Sequence, residues 1–136
     1  MSVSDFLNAI KNDQVREDCR AIAHMMQNAT NAEPKMCGAS IVGFVDYKHQ
    51  HAGSRQINRI LIAFSPRKQN ITLYLMPDFE QENDLRLLLD QLGKHSCGQS
   101  CCLYIKRLSD VDVPTLQKII ETTVRRVRET EREMNQ

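Results

Sequence analysis

Two stretches of this chain carry cations and no carboxylate. From Tyr47 to Pro77 there are Lys48, Arg55, Arg59, Arg67 and Lys68, with His49 and His51, and neither Asp nor Glu. From Gln91 to Ser109 the same holds, with Lys94, His95, Lys106 and Arg107. The formal net charge of +1 conceals both. Should the two segments lie together, their cations would raise the local concentration of anions. They would then bind phosphate, carboxylate or an acidic protein face. The plain alternative is solvated loop charge, balanced by nearby Asp78, Glu80, Glu82 and Asp84. Ser65-Pro66-Arg67-Lys68 offers a hydroxyl and two cations, and it also reads as a turn.

Other chemistry is thinner. Five cysteines (Cys19, Cys37, Cys97, Cys101, Cys102) form no C-x-x-C pair and read as reduced thiols in a cytoplasmic protein. His95 with Cys97 and Cys101 could make a loop metal site, against which stands the habit of free cysteine to act as a small buried hydrophobe. A nucleophilic Cys37 or Cys97 would need a base and oxyanion donors that the sequence does not identify. His49-x-His51 supplies two ligands at most, too few for a tight site. No nucleophile elbow, zincin motif, P-loop or dinucleotide fingerprint is present. No apolar run has the length of a membrane span. The near-neutral charge, the absence of Trp and the lack of clustered stacking aromatics point away from nucleic acid.

The elements that must position these residues follow from periodicity. The first thirty residues read as helix, with Val15, Cys19, Ile22 and Met26 on one face. Residues 40–47, 57–64 and 69–76 read as strands joined closely enough to be antiparallel neighbours. Leu85, Leu88, Leu89 and Leu92 stripe a helix closed by Gly93. Residues 101–106 read as a fourth strand, and Leu116, Ile119, Ile120, Val124 and Val127 face the core from a last helix. Residues 129–133 are polar and charged throughout, and 129–136 should fray or project. The expectation is one α+β domain in the order α-β-β-β-α-β-α. Its antiparallel sheet has four strands, or five, with helices on one face. Alternation puts Ile71, Leu73 and Leu75 inward, and Thr72, Tyr74 and Met76 outward. It likewise puts Leu103 and Ile105 inward, and Cys102, Tyr104 and Lys106 outward. The outward set could form a shallow binding face or a homodimer contact.

Several blocks in order resemble the YdhG-like family, a bacterial family of unknown function. They are Glu33-Pro34-Lys35-Met36, Gly38-x-Ser40-Ile41-Val42-Gly43-Phe44, Ala63-Phe64-Ser65-Pro66-Arg67-Lys68 and Ile71-Thr72-Leu73-Tyr74-Leu75. Leu92-Gly93-Lys94-His95 and Leu103-Tyr104-Ile105-Lys106-Arg107-Leu108-x-Asp110-Val111-Asp112 extend the likeness. The resemblance implies a small α+β fold akin to secretion-chaperone-like or frataxin-like domains, and some members are described as frataxin-like iron chaperones. Three readings result. The first is a non-enzymatic domain gathering Lys35, Tyr47, Ser65, Arg67, Lys68, Tyr74, Lys94 and Tyr104 around an anionic small molecule or acidic protein partner, without a cofactor. The second is an iron metallochaperone using Asp13, Glu17, Asp18, His49 and His51, although Arg16 and Arg20 interrupt that acidic segment. The third is a cysteine-dependent enzyme or redox protein.

Overall fold

The computed structural model describes residues 2–49, 56–75, 83–98 and 102–134. Two helices open the chain, α1 (Val3–Asn8) and α2 (Asp13–Thr30). The Asn12 side chain caps α2 by accepting from the backbone N–H of Gln14 and Val15 at 2.9 and 3.1 Å. Asn31, in the left-handed region at φ 56°, closes it. Four strands follow: β1 (Pro34–Met36), β2 (Val42–His49), β3 (Gln56–Pro66) and β4 (Ile71–Tyr74). After them come α3 (Asn83–Leu92), β5 (Ser96–Cys97), β6 (Cys102–Ile105) and α4 (Val113–Met134). The Asp112 carboxylate caps α4 by accepting from the Thr115 N–H at 3.1 Å. That helix runs on past Arg128 to Met134. No described helix is long and apolar enough to cross a membrane.

The architecture is α+β with an antiparallel sheet, but the sheet has six strands, in the order β1-β2-β3-β4-β6-β5, rather than four or five. The element order therefore departs from the expected α-β-β-β-α-β-α: a short helix stands apart at the start, and two strands are added. Both added strands lie at the edges and are three and two residues long. Segments so short show no period-2 pattern, and Pro34 reads as a breaker unless it sits on an edge, where no partner needs its missing N–H. What holds them is the neighbour: Lys35 pairs with Gly43, and Ser96 with Tyr104.

Alternation sorts the sheet into two faces. Val42 and Phe44, Ile62 and Phe64, Ile71 and Leu73, and Leu103 and Ile105 join one buried cluster. That cluster also takes in Leu7 of α1, Cys19, Ile22 and Met26 of α2, Leu85, Leu89 and Leu92 of α3, and Leu116, Ile119 and Ile120 of α4. The helices thus cover a single face. A β-bulge at Phe44/Val45 leaves Leu61 without a partner. Beyond it, β2 and β3 stay paired to His49 and Gln56, whereas β1 pairs only with Val42–Phe44 and β4 only with Ala63–Pro66. The distal half of the hairpin is a two-stranded ribbon.

Candidate functional site

The face opposite the helices is read directly from the register. One row across the strands is Lys35, Gly43, Ala63, Tyr74 and Cys102, and the next is Ser65, Thr72, Tyr104 and Ser96. Two-residue alternation then brings Arg67, Asn70 and Lys106 to the same side, at the β3–β4 turn and the end of β6. The turn is tight: the Arg67 N–H donates to the Asn70 carbonyl at 2.8 Å, with Lys68 and Gln69 between. The Thr72 hydroxyl donates to Asn70 Oδ1 at 2.7 Å, which ties the turn to the strand behind it.

Polar groups on this face are arranged, not merely exposed. The buried Ser65 hydroxyl donates to the Ser40 carbonyl at 2.6 Å. The Arg67 guanidinium reaches along the sheet and donates to the Tyr74 hydroxyl at 2.6 Å. Tyr104 leans the other way, toward β5. A Cβ placed on Gly98 would meet its hydroxyl and come within 2.8 Å of two ring carbons, so only glycine lets the ring lie there. Gly98 itself is held opposite Cys102, its N–H donating to the Cys102 carbonyl at 2.9 Å.

Two clefts adjoin along this face. The first, of about 530 Å³, has Thr72, Tyr74, Cys102 and Tyr104 from the strands and Arg67, Lys68, Gln69 and Asn70 from the turn. The second, of about 720 Å³, is bordered by Lys94, His95, Ser96, Lys106, Arg107 and Asp110, and it shares Gln69, Asn70 and Tyr104 with the first. Gly93 makes the second cleft possible. It adopts φ 109°, and a Cβ there would stand 2.7 Å from the Asp110 carbonyl oxygen, so a side chain would force apart the backbones that seat Lys94. The Lys94 N–H donates to that same carbonyl at 3.1 Å, and His95 Nδ1 donates to the Gly93 carbonyl at 2.8 Å.

The structure brings together Arg67, Lys68, Tyr74 and Tyr104, and sets Lys94 in the adjoining cleft. Ser65 lies beneath them with its proton committed to Ser40. Lys35 lies apart. It shares the Tyr74 row but stands three strands away, roughly 14 Å at the usual strand spacing. The side chains of Tyr47 and His49, and all of His51 and Cys101, lie outside the described residues. Of the other cleft residues, the sequence places Thr72, Cys102 and Lys106 on the outward face and Lys106 and Arg107 in an acid-free stretch, whereas no pattern singles out Gln69 and Asn70.

The acidic residues of α2 are engaged by arginines. Asp13 pairs with Arg16 at 2.6 Å and Glu17 with Arg20 at 2.7 Å, each one helical turn apart. Asp18, buried, accepts from Arg107 Nε at 2.8 Å and from the Leu108 N–H at 3.1 Å. The hydrogen bond that Arg107 donates to Asp18 raises the affinity of Arg107 for its proton. This contact fastens the 3₁₀ turn Leu108–Asp110 to the helix layer and thereby fixes the floor of the second cleft. Among the described residues no group of three or more His, Cys, Asp or Glu could hold a metal ion. Two thiols are shifted upward. Burial, with the Asp18 charge second, pushes Cys19 up to about 12, and desolvation raises Cys97. Neither thiol is activated as a nucleophile.

No protein-family model, no curated protein and no solved structure matches the chain.

Proposed function

We propose that this chain is a non-enzymatic binding domain whose open sheet face takes an anionic small molecule at the two adjoining clefts. One observation carries the reading: four cations, Arg67, Lys68, Lys94 and Lys106, line the clefts against a single carboxylate, Asp110, while Arg107, which also borders the second, is paired with Asp18. Both clefts lie within the size range of small-molecule sites, which favours a compact ligand over an acidic protein surface. Charge-assisted hydrogen bonds from guanidinium and ammonium groups would supply most of the affinity. The iron reading has less support, because the α2 carboxylates are already paired with arginines. The cysteine reading has less support, because the Cys97 thiol is held protonated above its ordinary range. The likeness to the YdhG-like family is compatible with this proposal and adds no chemistry to it.

Thermal unfolding with inorganic phosphate, pyrophosphate and citrate tests the proposal. The melting temperature of the native chain should rise with ligand concentration, and Arg67→Ala combined with Lys94→Ala should abolish the rise. An unchanged melting temperature for the native chain with all three anions would overturn it.

A further inference from the structure

The first cleft has a shape that charge alone does not require. Tyr74 and Tyr104 stand on neighbouring strands in diagonal register, Tyr74 opposite Cys102 and Tyr104 opposite Thr72. Diagonal neighbours across an antiparallel pair are about 7–8 Å apart. A flat ring stacked between two others needs about 3.5 Å on each side, so this spacing is the least that would admit one. The two tyrosines are also drawn apart. The Tyr74 hydroxyl is held by Arg67, and the Tyr104 ring is laid over Gly98 on the side away from β4. The slot between them is floored by Thr72 and Cys102, a hydroxyl and a thiol of modest size. At one end of the slot stand Arg67 and Lys68. The guanidinium carries five N–H donors, more than the one it gives to Tyr74.

An apolar-walled slot ending in two cations fits a molecule that is flat at one end and multiply charged at the other. We infer that the ligand of this face is a nucleotide-like molecule, with a heteroaromatic ring stacked between Tyr74 and Tyr104 and its phosphates on Arg67 and Lys68. The inference rests on the anion-binding proposal and narrows it to a ligand class. The tyrosines contribute ring stacking, which tolerates different bases because every base presents a π-face. The amides of Gln69 and Asn70 are the groups placed to read the ring edge, the buried Thr72 hydroxyl being committed to Asn70.

Calorimetric titration of the full chain with ADP and with inorganic pyrophosphate separates the two layers. ADP should bind at least tenfold more tightly than pyrophosphate. Tyr104→Leu should erase that margin while leaving pyrophosphate affinity within twofold, and Arg67→Ala should weaken both ligands. Tyr74→Leu repeats the comparison should Tyr104→Leu not melt cooperatively. The chain has no Trp and only three Tyr, so saturable quenching of tyrosine emission by ADP but not by pyrophosphate is a second readout. Equal affinity for ADP and pyrophosphate would sink the nucleotide inference and leave the anion reading intact. Absence of binding by either, with the chain folded, would overturn both.

Discussion

The two faces of the sheet are built from the same strands and obey different rules. Phe64 and Ser65 are adjacent in sequence, equally buried, and point to opposite sides. Phe64 meets Val42 and Leu73 across the ladder and belongs to the apolar cluster that the helices cover. Ser65 faces the open side, where its hydroxyl is bonded to the Ser40 carbonyl and the Arg67 guanidinium to the Tyr74 hydroxyl. One face is held by the area it removes from water, the other by a set of directed bonds. The first tolerates any well-packed apolar sequence; the second depends on particular atoms.

The largest expected effect lies on the helix-covered face. Phe64→Ala removes a ring with no exposure from the centre of the cluster. It should cost about 3–5 kcal/mol in chemical denaturation, because the surrounding helices can only partly collapse into the void. A loss under about 1 kcal/mol would mean that the two faces are packed alike.

A second test uses pH. Cys19 sits in the same dry layer with its thiol raised from 9.0 to about 12. A raised acid remains neutral in the fold while the unfolded chain ionises, so the stabilising difference is complete below about pH 9 and is lost as pH climbs toward 12. Between about pH 8.5 and 10.5 the native chain should lose roughly 2 kcal/mol more than Cys19→Ala does. Urea denaturation at the two pH values reads the difference. Parallel losses in the two proteins would place Cys19 in a wetter setting than the helix-covered face implies.

The same contrast explains what was legible in the sequence. The four longer strands and the inward set Ile71, Leu73, Leu103 and Ile105 follow from alternation, which is a local pattern. The edge strands β1 and β5 do not, since their pairing is decided by Gly43 and Tyr104 on other strands. The cations of the clefts showed as acid-free stretches, but their assembly depends on strand order. Order puts β6 beside β4, so that Lys106 meets the β3–β4 turn, and it leaves Lys35 far away. The pairing of Asp18 with Arg107 spans 89 positions, and no spacing rule reaches that distance. The Asp18 carboxylate, which reads from sequence as a metal ligand, accepts instead from Arg107 and from the Leu108 N–H.

The smallest effect is the sharpest, because it asks whether the open face depends on single bonds. Ser65→Ala leaves the strand, its register and Arg67 in place, and removes only the hydroxyl that donates to Ser40. The change in buried area is slight, so area alone predicts almost no effect. The unpaired Ser40 carbonyl predicts a loss of about 1 kcal/mol, the usual net worth of one such bond. Ser65→Val then separates the terms further, since it adds apolar area on a face that should gain little from it. If the valine variant is more stable than the native chain, the open face is packed by the same rule as the covered one. If both variants lose stability together, the partner of the hydroxyl matters more than the volume it fills, and the polar arrangement beneath Arg67 is a fixed platform for the clefts above it.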